Sequence, residues 1–173
     1  MEQDFILIWR MKSGDERAFD VFVGKYYSNI LQYCRYHCAD RQQAEDLTQE
    51  VFLKFFRSLA GYRHREKAIN YLYTIARNLC VDFAQEKQRQ AELEAKEMFL
   101  ADKSGETHAE KLYEKIDVEH ALERLDDELR ETVLLYYFQE LKVREIARLL
   151  KIGVPLVKYR LKRARELLRE LLE

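Results

Sequence analysis

The chain of 173 residues contains one proline and five glycines. So few breakers, with 47% apolar residues, favour long helices, and no stretch alternates apolar and polar residues as a strand would. There are three cysteines at irregular positions, an odd count that suits a reducing cytoplasm better than a disulfide framework. No apolar run approaches the roughly 20 residues needed to span a bilayer. No basic start followed by an apolar stretch marks a secretory signal. The expected location is therefore cytoplasmic, with no insertion into a membrane. A Gly-rich phosphate loop, an H-E-x-x-H pair and a nucleophile motif are all missing. These absences argue against an enzyme, a cofactor, a metal site and a small-molecule substrate.

What is present is charge, unevenly placed. The whole chain has a formal net charge of −1. Residues 1–90 are close to balanced at +2, residues 91–140 carry −9, and residues 141–173 carry +6. A near-neutral protein is normally a poor candidate for nucleic-acid binding. A basic C-terminal block separated by an acidic middle weakens that objection, since the acidic stretch can shield the basic one.

Helical spacing organises the first part. Ser13 and Glu16 form an S-x-x-E pattern that predicts a capping box. Phe19, Phe22, Val23, Tyr26 and Ile30 follow as one apolar stripe. Asp40 with Gln43 marks a second start, and Ala44, Leu47, Val51 and Phe55 continue it. Gly61 and the charged run Tyr62-Arg63-His64-Arg65 read as a loop. A third helix carries Leu72, Ile75, Ala76, Leu79 and Phe83 inward, with Asn70, Thr74, Arg77, Asn78 and Gln85 on the other face. From Gln88 to about Lys111 the chain is charged and reads as a linker, helical at first. Apolar spacing resumes at Leu112, Ile116, Ala121, Leu122 and Leu125. Asp126 and Asp127 sit at a helix start, where negative charge suits the dipole. The expected fold is all-α: two small helical domains, residues 1–90 and 112–173, joined by a charged linker, 91–111.

The C-terminal block has the pattern of a helix-turn-helix. Val143, Ile146, Ala147 and Leu150 give a short helix its buried face. Lys151-Ile152-Gly153 is the turn, and Gly153 serves as N-cap for a long second helix. Pro155 is tolerated in its first turn, where the N–H groups lack intrahelical partners. Val157, Leu161, Ala164 and Leu168 face inward. Lys158, Tyr159, Lys162 and Arg163 project outward from the N-terminal half, where a recognition helix meets phosphates and base edges.

Cys34, His37 and Cys38 fall at i, i+3 and i+4, so they share a helix face. A zinc site needs a fourth ligand, and none is near in sequence. A buried or half-buried cysteine pair is the simpler expectation, with Cys34 and Cys38 as a candidate redox couple.

Two blocks together resemble one family. Ala44-Glu45-Asp46-Leu47-Thr48-Gln49-Glu50-Val51-Phe52 with Tyr71-Leu72-Tyr73-Thr74-Ile75-Ala76-Arg77-Asn78 is similar to the second conserved region of bacterial sigma factors. The block from Leu125-Asp126-Asp127-Glu128 to Lys158-Tyr159-Arg160-Leu161 is similar to their fourth. With these two regions alone, the chain resembles the extracytoplasmic-function group. The resemblance implies binding to core RNA polymerase, recognition of promoter DNA, and an anti-sigma partner. Asp46, Gln49 and Glu50 match the positions that bind the polymerase clamp helices. The −10 element falls to Tyr62, Arg63, Asn70, Tyr71, Arg77 and Asn78, with Tyr73, Arg65 and Lys67 as further candidates. The −35 element falls to Lys158, Tyr159, Lys162 and Arg163.

The chain also departs from the family pattern. Lys142 stands where Ser or Thr often caps, although its partner Glu145 remains. Lys151 replaces the usual turn glycine, Pro155-Leu156 replaces a Gly-Thr pair, Tyr159 replaces a common Ser, and Tyr71 stands where Trp is frequent. The rival reading is a helix-turn-helix regulator that binds duplex DNA as a dimer without polymerase. A third is a helical interaction protein with no nucleic-acid role.

Overall fold

The computed structural model describes residues 2–38, 40–64, 67–99 and 118–172. Arg65, Leu112, Ile116 and the linker beyond residue 99 lie outside them. The described residues are helices and their connections, divided between two compact units, as the all-α expectation requires.

The first unit contains α1 (Glu2–Lys12), α2 (Glu16–His37), α3 (Arg41–Ser58) and α4 (Ala68–Phe99). α1 was not among the expected helices, because it is apolar on more than one face and has no clear stripe. Its Leu7, Ile8 and Met11 are buried, while Phe5, Ile6 and Trp9 are exposed. α1 ends in a Schellman motif, with Gly14 N–H bonded to Met11 O at 3.1 Å and Asp15 N–H to Arg10 O at 3.1 Å. Gly14 holds φ +84°, which a side chain would oppose.

That motif corrects the expected capping box. Ser13 belongs to the end of α1, and its hydroxyl donates to Trp9 O at 3.0 Å. The N-cap of α2 is Asp15, whose carboxylate accepts from Arg17 N–H at 3.1 Å and from Arg10 Nε at 2.8 Å. A carboxylate held by a cation takes the N-cap, so the nearby Ser-x-x-Glu spacing never forms its box. Asp40 caps α3 as expected, accepting from Gln42 N–H at 3.3 Å.

The core of this unit is aromatic. Phe22 stacks on Phe55 with centroids 4.8 Å apart, Phe19 meets Phe56 edge-on at 4.9 Å, and Tyr33 meets Tyr73 at 5.5 Å. α2 packs on α1, α3 and α4. α4 carries this core as far as Leu79 and Cys80, then runs on as a solvated helix through the expected linker start at residue 91. Side-chain pairs such as Gln90 to Glu86 (3.0 Å) and Gln88 to Glu92 (3.1 Å) lace that extension.

The second unit contains α5 (Val118–Glu123), α6 (Asp127–Val133), a π-helical turn (Leu134–Phe138), α7 (Val143–Leu149) and α8 (Val154–Leu172). The helix that starts at Asp126 and Asp127 is not uniform. Gln139 N–H bonds Leu134 O, five residues back, at 3.0 Å, and Leu141 N–H bonds Leu135 O at 3.0 Å. The widened turn keeps Leu134 and Leu135 both fully buried and leaves Tyr136 and Tyr137 exposed. α8 packs against α5, α6 and α7 through Val157, Leu161 and Ala164, while Leu168 is only half-buried. Arg160 ties α8 to α6 by donating to Glu128 at 2.5 Å.

The two ends of α7 explain two of the departures. Lys142 supplies no side-chain acceptor, but Glu145 reaches back to accept from Lys142 N–H at 2.8 Å, so half of a capping box survives. α7 ends in a second Schellman motif, with Ile152 N–H to Ala147 O at 3.0 Å and Lys151 N–H to Arg148 O at 3.2 Å. Lys151 occupies the left-handed position with φ +55°. An L-residue there is strained by about 1 kcal/mol. Lys151→Gly is expected to raise the stability of this unit by about 0.5–1 kcal/mol, read as a higher urea midpoint. A lower midpoint would mean that the Lys151 side chain contributes more than its backbone costs.

Candidate nucleic-acid and polymerase surfaces

The outward face of α3 carries Asp46 and Gln49, both exposed, and Glu50, half-exposed. They sit one helical turn apart because Ala44, Thr48, Val51 and Phe55 take the inward positions. Gln42 Nε2 donates to Asp46 at 3.3 Å, and Arg57 lies 3.6 Å from Glu50, loose surface contacts worth a fraction of a kcal/mol. Leu53 continues this stripe one turn on and is 48% exposed. The periodicity reading passed over it. A lone apolar residue on an acidic helix face was the available signal, since such a face gains affinity by burying it against a partner.

The connection between α3 and α4 brings Tyr62 and Tyr71 together, with ring centroids 5.1 Å apart. Both are half-buried. Tyr62 meets Phe55 edge-on at 5.4 Å, and Tyr71 lies 6.0 Å from Phe55. They are therefore fixed to the core on one side and reach solvent on the other. Burial pushes the Tyr62 hydroxyl above the ordinary phenol value. Lys12 pins the same loop, donating to Tyr62 O at 2.7 Å and to Ala60 O at 3.4 Å. Arg63, Lys67 and Asn78 are exposed, and Asn70 and Arg77 are half-buried on the same outward side of α4. Tyr73 is a correction. It is fully buried against Tyr33, with its hydroxyl pushed up by burial, so it offers no platform to a base. Two residues after Tyr71 on a helix is about 200° of rotation, which turns it to the core.

Cys34 is buried and Cys38 half-buried, as expected, but the helical face they were expected to share with His37 is corrected. α2 stops at His37, and Cys38 follows in an extended conformation (φ −124°, ψ 137°), so the three residues do not share one helical face. Cys34 is buried beside Cys80 of α4 and Thr48 of α3. Burial pushes the Cys38 thiol up to about 11, away from reactive thiolate chemistry. Among the described residues no group of three or more metal-ligating side chains gathers, and no helix is long and apolar enough to cross a membrane.

In the second unit, Lys158, Tyr159, Lys162 and Arg163 are all exposed on the N-terminal half of α8, and Tyr159 reaches 61% exposure. Lys162 and Arg163 approach Glu166 at 3.9 and 3.7 Å, pairs loose enough for a phosphate to displace. Gly153 O accepts from Leu156 N–H at 3.0 Å and Val157 N–H at 3.2 Å, which starts the helix cleanly beside Pro155. Leu156 is 40% exposed and lies on the stripe of Tyr159 and Arg163. It is a second residue missed in sequence, an apolar contact suited to a thymine methyl.

Known proteins share both halves. The sequence model of Sigma-70 region 2 matches residues 22–90, and that of Sigma-70, region 4 matches residues 115–168. The RNA polymerase sigma-H factor of Pseudomonas aeruginosa is 32% identical over 181 residues, covering 95% of this chain and 91% of that protein. The ECF RNA polymerase sigma factor SigW of Bacillus subtilis is 29% identical, covering 94% and 93%. In fold, the chain is similar to CnrH, solved with the cytosolic domain of CnrY (TM-score 0.72, 23% identity, 96% and 95% coverage). It is likewise similar to the sigma factor RpoE of Bartonella quintana, solved with the anti-sigma factor NepR (TM-score 0.68, 21% identity, 89% and 96% coverage). The chain belongs to the extracytoplasmic-function group of bacterial RNA polymerase sigma factors.

Proposed function

We propose that the chain confers promoter specificity on core RNA polymerase, recognising −10 and −35 elements and promoting initiation. The observation that carries this is the pairing of two family regions in one chain, region 2 then region 4, each presenting an exposed polar face on its own unit. In this reading residues 1–90 meet the polymerase and the −10 element, 91–111 link, and 112–173 meet the −35 element. Asp46, Gln49 and Glu50 contact the clamp helices, with Leu53 as the apolar centre of that contact. Tyr62, Arg63, Asn70, Tyr71, Arg77 and Asn78 hold the opened −10 strand. Lys158, Tyr159, Lys162 and Arg163 read the −35 duplex, joined by Leu156.

The chain does no bond-making chemistry in this reading; the polymerase does. It works in the cytoplasm, where core polymerase is. We infer an anti-sigma partner from the family and from the assemblies in which CnrH and RpoE were solved.

Run-off transcription with purified core enzyme tests the proposal. The expected result is initiation at discrete start sites that depends on both core and chain. A chain that binds a duplex operator tightly as a dimer and never directs initiation belongs to the rival class. Gln49→Ala with Glu50→Ala is expected to weaken competition for core enzyme about tenfold, as loss of two interface contacts would. Unchanged competition would remove α3 from the polymerase interface.

A further inference from the structure

α1 has two apolar faces, and the first unit covers only one of them. Leu7, Ile8 and Met11 are buried, yet Phe5 is 59% and Trp9 63% exposed. A helix that is apolar on both sides acquires a second cover in its working state. The position of the open face narrows what that cover is. Phe5, Trp9 and Lys12 recur at i, i+4 and i+7, one stripe along α1. Both ends of the stripe touch the loop after α3: the Phe5 ring lies 6.4 Å from His64, and Lys12 grips the carbonyls of Ala60 and Tyr62. Trp9 lies between them along the stripe and is exposed, and Arg63 of the same loop is exposed as well. Two nearby carboxylates are already held, Asp4 by Lys25 and Tyr26 and Asp15 by Arg10. Aromatic faces interleaved with cations, and anions neutralised internally, are the chemistry that takes up unpaired nucleic acid.

We propose that Trp9, backed by Phe5, is a stacking platform for an unpaired base of the promoter strand held by the Tyr62–His64 loop. The proposal rests on the sigma-factor reading and extends its DNA surface onto α1. A protein surface, whether polymerase or anti-sigma factor, is the competing cover.

The test uses holoenzyme reconstituted from core polymerase and the full chain, on a promoter found by start-site mapping. Trp9→Ala is expected to shorten the open-complex lifetime about tenfold, the effect of one lost base–aromatic stack. Trp9→Phe should restore most of it. Competition for core enzyme and the thermal midpoint should not change. 5-Iodouracil placed in the unpaired strand should photocrosslink to Trp9, the chain's sole tryptophan, as identified by peptide mass. Wild-type lifetimes in Trp9→Ala without a crosslink at that residue would overturn the proposal. So would loss of core or anti-sigma binding with opening unaffected, which would assign the face to a protein. If wild-type holoenzyme initiates nowhere, the sigma-factor reading fails first and this inference with it.

Discussion

Lys158→Glu, Lys162→Glu and Arg163→Glu together are expected to lower output from a −35-dependent promoter by at least about 100-fold. Each side chain is exposed on the face of α8 that its buried residues, Val157, Leu161 and Ala164, turn outward. A side chain at a base edge contributes about 1–3 kcal/mol, and a phosphate contact adds a salt-dependent term. Reversal replaces both with repulsion. Folding should be unaffected, because among the described residues the ion pairs of these side chains are the loose contacts to Glu166. The checks are run-off transcription, circular dichroism, and the salt dependence of promoter binding. Single Lys→Ala variants should flatten the salt slope by about one unit each. Unchanged output from the triple variant would leave a helical interaction protein as the better description.

Asp4→Ala is expected to destabilise the first unit by about 2–3 kcal/mol. Asp4 is 4% exposed, and its carboxylate accepts from Lys25 Nζ at 2.5 Å and Tyr26 OH at 2.6 Å. Removing it strands the buried Tyr26 hydroxyl, while the half-exposed Lys25 can turn to water, which limits the loss. Burial alone would raise the Asp4 pKa. The hydrogen bonds from Lys25 and Tyr26, the Lys25 charge and the Ala68 N–H outweigh it and hold the carboxyl below its ordinary 3.8. The stabilisation is therefore fully present above about pH 5 and is lost as pH falls through the lowered value. Wild type and Asp4→Asn should differ by a constant amount from pH 7 to about pH 5, then converge on further acidification. Urea titrations at several pH values measure this. A difference that grows on acidification would contradict it. Because Asp4 anchors α1, the same variant should also loosen Lys12 from the Tyr62 loop and slow promoter opening.

Helical periodicity made legible which side chains face outward, and the resemblance to sigma factors gave those faces their expected roles. Asp46, Gln49 and Glu50 on α3, and Lys158, Tyr159, Lys162 and Arg163 on α8, face solvent because the apolar residues of the same helix recur every three or four positions along the opposite face. That relation is written along the chain. Tyr62 and Tyr71 were less legible, since their half-burial depends on Phe55, a residue of another element. Leu53 was passed over as an ordinary apolar residue, and Leu156 was noted as a departure from the family but not as a contact. Exposure distinguishes them, and exposure depends on what packs alongside.

Local order therefore follows from residues close in sequence: the Asp40 cap, the basic face of α8, and the surviving half of the Lys142–Glu145 box. Competition between two local signals already needed the fold to settle it, as when Asp15, held by Arg10, took the cap that Ser13 and Glu16 promised. Contacts between distant segments required the assembled chain. These include Cys34 beside Cys80 and the choice of which side of α1 to cover. A helix apolar on two sides carries no preference of its own; α2 and the loop after α3 make the choice, and they leave Trp9 on the outside.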